Sequence, residues 1–336
     1  MIPPGVHLVY YSMTDRHGQG GMRNGFLHVF EERERMVRRW NPETEDFEPL
    51  STAGTATAAT VDVILIGRRE EAEEQEEDLL RAYDPNLAAY PMRDKSYTVW
   101  QHLSDYITPS IARRVLPSGR HILDITQPDE NNHDDVHAAN ESTGHGFTSL
   151  DVRRSYREGA TGAERTKSML DKSWLLESML ERHYHGDYKE LLGEMQLAFI
   201  LLLLGQNYSG LEQWKRIMYL VCGSEDALDR WGNTLFVDYL HALQYQLDEC
   251  PHDFFYDLLS ADNFIFVLLK MLFRNVAQQR ATPQDDYPST VAELVKQLAQ
   301  FQSFLQKRFG WSPSLEELRA EAEIEEGEDA PVVVEL

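Results

Sequence analysis

Cysteine is nearly absent: the 336-residue chain holds only Cys222 and Cys250. Two thiols that far apart, behind a start MIPPGVHLVYYS with neither a basic n-region nor an apolar h-region, predict reduced, buried side chains in an intracellular protein. Long apolar runs are also missing. The longest, LAFILLLL at 197–204, falls well short of the roughly 20 residues that span a bilayer, so no membrane association is expected. Positive charge is scarce, with Lys and Arg at 32 against 56 Asp and Glu, a net charge of -24. Neutralising phosphates needs a basic face, so direct nucleic-acid binding is not expected, whereas partners with basic patches are. Signatures of catalysis are missing too: no GxxxxGK[ST], no GxSxG, no CxxC, and no cysteine set with His and Asp as a nucleophile. The chain reads as a non-enzyme with no cofactor and no metal.

Hydrophobic residues make up 42% of the chain, enough to bury a core, and the length suits about two domains. VHLVYYS (6–12) and FLHVF (26–30), joined by the Gly-rich HGQGGMRNG (17–25), read as a β-hairpin. MVRRW (36–40) and ATVDVILIG (59–67) read as further strands. RREEAEEQEEDLLRAY (68–83) turns to helix formers and stops before Pro85 and Pro91, and KSYTVWQHLSDYI (95–107) is amphipathic through Val99, Leu103 and Tyr106. Residues 127–146, QPDENNHDDVHAANESTGHG, carry hardly any large apolar side chains and cannot offset their ordering entropy. From 161 the pattern is helical nearly throughout. TGAERTKSMLDKSWLLESMLERHY opens on a capping box, Thr161 and Glu164, and reads as one helix. ELLGEMQLAFILLLLGQNY is apolar nearly all round, as in the middle of a bundle. Phe254, Phe255, Phe264, Phe266, Phe273, Phe301, Phe304 and Phe309 recur at helical spacing and read as core. The divisions are a β-rich domain over 1–126, a flexible linker over 127–160, an all-α domain over 161–312 and an acidic tail over 313–336. The fold class is α+β.

Two histidine sets test for a metal. His133 and His137 stand at i and i+4, the spacing of zinc hydrolases, with His145 as a third candidate. Asp134, however, is shorter than the general-base glutamate of those motifs, and the surrounding stretch is too polar to lock ligands in place. His183 and His185 stand at a helix end, where a cation complements the macrodipole. Gly18, Gly20, Gly21 and Gly25 precede a strand, so they suit a hairpin turn rather than a dinucleotide loop.

The end of the chain is unusual. Residues 316–336 hold nine carboxylates against Arg319, yet finish on Pro331, Val332, Val333, Val334, Glu335 and Leu336. β-Branched residues after a charged stretch suit strand addition to a sheet edge on another protein, with the carboxylates steering the approach. Ordering six residues costs roughly 6–12 kcal/mol. Four ladder bonds return about 4 kcal/mol, and two or three inward side chains about 4–8 kcal/mol. The balance is near zero, so such a tail acts only as one arm of a bivalent contact.

Several stretches together resemble the cistron splicing factors, assembly factors of the U5 small nuclear ribonucleoprotein (snRNP). They are MIPPGVHLVYYS, GMRNGF, LAAYP, VWQHLSDYI, LGEMQLAFILLLLGQNYSGLEQWKRIMYLVCGSE (192–225), DFFYDLLSADNF (253–264) and APVVVEL, in the family's order. The resemblance implies a β-sandwich-like first domain, a VHS-like helical second domain and a tail. It also implies a non-catalytic pre-mRNA splicing factor of nucleus and cytoplasm. Such a factor binds the large U5 scaffold protein through that protein's RNase H-like and Jab/MPN-like domains and holds off the helicase. Carried over by position, the partner-binding residues are Val332, Val333, Val334, Glu335 and Leu336. Family members have a strand-rich segment before their MIPPG and run past their equivalent of Leu336. An incomplete β domain, or a start at an internal methionine, and a shorter added strand are therefore expected. The alternatives from other classes are a metal-dependent hydrolase using His133 and His137, and a generic VHS-like adaptor.

Overall fold

The computed structural model describes residues 3–14, 20–32, 34, 36, 38–43, 46–49, 94–116, 146–152, 155–250, 264–279 and 286–311. Among these the architecture is α+β, two antiparallel hairpins followed by helices. Strand β1 (Gly5–Thr14) pairs with β2 (Gly20–Phe30), Val6 opposite Val29 and Tyr10 opposite Gly25. The glycine-rich stretch read as a turn is therefore largely strand. Gly25 is used because the Tyr10 ring lies across it: a Cβ there would come 2.8 Å from Tyr10 Cδ1. Strand β3 (Arg38–Asn41) falls on the strand expected at 36–40 and pairs with β4 (Asp46–Pro49). The sequence reading missed β4, whose four residues include two acids and a proline. Trp40 and Phe47 face each other across this second hairpin with ring centroids 5.1 Å apart, and Tyr11 of β1 lies 4.7 Å from Phe47, so aromatic edges join the hairpins. The strand expected at 59–67 and the helix expected at 68–83 lie outside the described residues.

Helix α1 (Asp94–Ser104) lies where the amphipathic pattern put it, with Leu103 buried. Thr108 accepts the Ile111 N–H and caps α2 (Pro109–Val115), whose proline sits in the first turn where no donor is needed. Residues 161–185 were read as one helix but form two, α3 (Gly162–Leu170) and α4 (Ser173–His183). The capping box at Thr161 and Glu164 is present. The break at 171–172 has a local cause. The buried Lys172 ammonium turns back on the end of α3, donating to the carbonyls of Ser168 (3.1 Å) and Met169 (2.7 Å) and to Ser155 Oγ (3.0 Å). Asp171 Oδ1 meanwhile accepts the Ser173 N–H at 3.0 Å and starts α4.

Helix α5 (Tyr188–Gly205) is the axis, buried without interruption from Leu191 to Leu201. One face joins the main core; Leu197, Ile200 and Leu201 face a second cluster with Val6, Ile107, Ile111, Ala112 and Val115. This is why its sequence is apolar all round: it is covered by helices on one side and by the hairpin with α1 and α2 on the other. Gln206 in the left-handed region (φ 50) ends it, and Asn207 caps α6 (Tyr208–Cys222), which returns along α5. Gly210 allows that approach, since a Cβ would lie 2.7 Å from Ala198 O.

Next come α7 (Leu228–Trp231), a π turn (Gly232–Phe236) and α8 (Val237–Glu249). The π turn delivers Asn233 to a neighbour. Its Oδ1 accepts the Glu293 (2.9 Å) and Leu294 (3.3 Å) N–H groups of α10 (Ala292–Phe309), whose own N-cap, Val291, has no acceptor. Helix α9 (Phe264–Ala277) lies between α8 and α10 in sequence and contributes Ile265, Leu269, Leu272 and Phe273 to the core. Phe301 is buried and Phe264, Phe266, Phe304 and Phe309 pack half-buried on the same cluster; Phe254 and Phe255 lie outside the described residues.

The closest backbone approach is at Gly193 of α5, where a Cβ would come 2.2 Å from the Tyr106 carbonyl oxygen and 2.6 Å from Ile111 Cδ1. Gly193→Ala is expected to lower stability by about 1–3 kcal/mol by pushing α1 and α2 off α5. A denaturant melt unchanged from the parent would contradict this packing.

Candidate interaction surfaces

At the centre of the molecule a carboxylate has no contact with water. Glu194 is fully buried on α5. Its Oε1 accepts the Thr148 N–H (2.8 Å) and Gln213 Nε2 of α6 (2.8 Å). Its Oε2 accepts Thr148 Oγ1 (2.7 Å) and the Tyr184 hydroxyl (3.1 Å) and lies 2.7 Å from the guanidinium of Arg114 on α2. Burial, and the facing carboxylate after it, push the Tyr184 phenol well above its ordinary pKa. Both oxygens are saturated, leaving no lone pair for a metal or a substrate proton, so the site works as a structural node.

The node ties the two parts of the chain together. Gly146 N–H donates to Arg114 O at 2.8 Å, joining the residues on either side of the undescribed stretch 117–145. Residues 146–152 and 155–160 fell within the linker as read from sequence, yet Thr148, Leu150 and Ser155 are buried. A second buried amide repeats the design: Gln196 of α5 accepts the Tyr106 N–H (2.9 Å) and donates to His102 O (3.0 Å) and Asp105 Oδ1 (2.7 Å) after α1. From the hairpin side, Val6 O accepts Trp100 Nε1 at 2.6 Å, and Tyr10 hydroxyl donates to Leu204 O at 3.0 Å. None of these partners was singled out from sequence. The available signal was two polar residues, Glu194 and Gln196, set in the most apolar stretch of the chain.

The thiols read as buried and reduced are free and buried, and burial pushes both Cys222 and Cys250 up to about 12. Neither is a thiolate near neutral pH, so neither is an activated nucleophile. Partial desolvation lowers the pKa of His183, which stands with Arg182 in the last turn of α4. His133, His137 and His145 lie outside the described residues. Among the described residues no group of three His, Cys, Asp or Glu is placed to hold a metal ion, and no helix is long and apolar enough to cross a membrane.

The partner-binding residues expected from sequence, Val332, Val333, Val334, Glu335 and Leu336, also lie outside the described residues. Their point of attachment does not. Gly310 (φ 71) ends α10 in the left-handed conformation, and Trp311 packs its ring edge-on against Phe266 of α9, 4.4 Å between centroids. The tail thus departs from a fixed position beside α9.

Comparison with known proteins covers both parts of this body. The family model described as AAR2 N-terminal domain matches residues 1–117, and that described as AAR2 C-terminal repeat region matches residues 147–314. A Caenorhabditis elegans protein named Protein AAR2 homolog is 32% identical over 337 aligned residues, covering 93% of this chain and 85% of that protein. Proteins of the same name from Mus musculus and Homo sapiens are 29% and 30% identical, each over 100% of this chain and 85% of the relative.

Removing one partner from the node leaves the other charge uncompensated. Glu194→Leu is expected to cost about 3 kcal/mol, moderated because Arg114 is partly solvated. Adding Arg114→Met is expected to recover part of that loss. Denaturant unfolding of the two single variants and the double variant measures the coupling, and strict additivity would mean that the pair is not linked as the geometry shows.

Proposed function

The chain belongs to the AAR2 family, that of the cistron splicing factors, and from this premise we propose that it is a non-catalytic pre-mRNA splicing factor that assists assembly of the U5 snRNP. In this reading it is a chaperone-like factor of nucleus and cytoplasm. It binds the large U5 scaffold protein at its RNase H-like and Jab/MPN-like domains and keeps the helicase away until maturation. The first part would be β-sandwich-like and the helical part VHS-like, as the family resemblance implies.

The observation that carries the reading is the combination of a body tied together at Glu194 with an acidic segment running to three consecutive valines. A flexible strand of five or six residues binds weakly by itself, but one tethered to a docked body needs no second bimolecular encounter. Twenty residues, the number from 312 to 331, would span roughly 25 Å if they behaved as a random coil. The strand can therefore engage a sheet edge away from the surface that the body covers. The net charge of -24 fits a partner with basic patches.

Deleting residues 330–336 is expected to weaken binding to the purified scaffold protein about tenfold or more while leaving helicity and melting unchanged. Val333→Pro removes a ladder donor and is expected to act like the deletion. Affinity unchanged by both variants would remove strand addition from the account. Loss of helicity on deletion would instead show the tail to be part of the chain's own core.

Steering by the tail's carboxylates also sets the salt response. Affinity for the scaffold protein is expected to fall as ionic strength rises and to fall less steeply after the deletion is extended to residue 316. A titration indifferent to salt would contradict the electrostatic part.

A further inference from the structure

Helix α3 covers nothing. From Thr161 to Leu170 every residue is exposed except Ser168, which is half-buried, and the helix contributes no buried side chain. A nine-residue helix is marginal in water by itself, so something other than packing holds this one in place. Its ends are held. The capping box closes the first turn, and the buried Lys172 ammonium takes the carbonyls of Ser168 and Met169 in the last. Between them Lys167 pairs with Asp226 at 2.8 Å, and the Arg165 guanidinium lies 5.0 Å from the Tyr156 ring centre. Such fixation leaves the outward side chains presented rather than packed. Leu170 is 78% exposed and Met169 57%.

Beside the helix runs an open groove of about 400 Å³ between α3, the start of α4 and the turn at Asp226 and Ala227, with Trp174 in its wall. Among its described lining residues, four carboxylates (Glu164, Asp171, Glu177 and Asp226) outnumber two cations (Arg157 and Lys167). Three of the four are engaged locally: Asp226 with Lys167, Asp171 with the N–H groups of Ser173 and Glu225, and Glu164 with the Thr161 N–H in the capping box. Glu177 is held only loosely, 3.5 Å from Arg230, and both of those side chains are largely exposed.

We propose that the groove between α3 and α4 docks a basic, leucine-type segment of a partner protein. Trp174 with Glu177 receives an arginine or lysine in the groove, and Met169 and Leu170, exposed on the last turn of α3 outside the groove lining, meet apolar side chains that flank it. The charge balance selects the occupant, because an acidic segment would meet a surplus of carboxylates. The half-buried indole and a loosely held carboxylate together offer a guanidinium both a ring face and a counter-charge. A second copy of this chain fits poorly: at net -24 the two copies repel, and one nine-residue helix offers far less than the roughly 800 Å² per partner of a stable interface. The proposal does not depend on the role of the tail.

The test uses the full chain and two synthetic hexapeptides, Leu-Arg-Leu-Leu-Arg-Leu and its glutamate counterpart, both capped at their ends. The readout is the Trp174 indole N–H resonance, assigned with Trp174→Phe. The arginine peptide is expected to shift it saturably at low salt and the glutamate peptide to leave it unmoved. Glu177→Lys and Leu170→Glu, both at exposed positions that preserve the melting temperature, are each expected to weaken the arginine peptide about fivefold or more. Absence of a Trp174 shift, an equal shift from the acidic peptide, or indifference to both variants would overturn the proposal. A Trp174 shift that follows protein concentration alone, with a doubled mass by light scattering, would overturn it in favour of self-association.

Discussion

One buried carboxylate organises this protein. Glu194 lies on the most apolar helix of the chain, where an unpaired charge would cost several kcal/mol even after relaxation. It is tolerated because donors from α2, α4, α6 and the strand of chain at Thr148 all converge on its two oxygens. Replacing the whole set of polar groups by apolar residues of similar volume is often neutral or stabilising, whereas removing the carboxylate alone leaves Arg114 uncompensated. What the carboxylate adds is uniqueness, since only one mutual arrangement of those four segments satisfies it. Gln196, two residues on, imposes the same requirement on the turn after α1.

From that constraint the organisation of the body follows. With α1 and α2 fixed to α5, the hairpin of β1 and β2 finds its apolar partners in Ile111, Ile200 and Leu201, and Trp100 and Tyr10 close the seam with hydrogen bonds to Val6 and Leu204. Gly146, at the start of the second part, donates its N–H to Arg114 O in the first. The two parts matched by the two AAR2 family models therefore meet across a shared core. Among the described residues, both oxygens of the buried Glu194 are saturated, burial raises the pKa of both thiols, and charge and a few exposed apolar side chains are presented outward.

Much of this was legible before the coordinates. Alternating apolar residues gave β1 and β2, capping residues gave the start of α3, and the all-round apolar run of α5 announced a central helix. What failed has physical causes. The break between α3 and α4 is made by the Lys172 side chain folding back onto carbonyls, and a lysine in a helical pattern carries no local mark of that. The π turn at Gly232–Phe236 exists to cap a helix sixty residues away through Asn233, a tertiary demand that periodicity within 227–247 cannot express. Strand β4 is short and charged and is held by cross-strand aromatics rather than by its own pattern. Within the stretch placed in the linker, Thr148, Leu150 and Ser155 are buried, which a composition rich in polar residues does not signal. The family was legible from long unusual stretches, while the partner-binding residues named from it, Val332–Leu336, rest on the sequence alone.

The central claim is that the β hairpin, α1 and α2 form one cooperative unit with the helical part through Glu194 and Gln196. Native-state hydrogen exchange in increasing urea tests it most directly, at the Thr148 and Tyr106 amides that donate to those two side chains. The account predicts that both exchange only by global unfolding, with the free energy and urea dependence of the amides in the middle of α5. Exchange of either through a separate, low-energy opening while α5 stays protected would show two loosely associated units and contradict it.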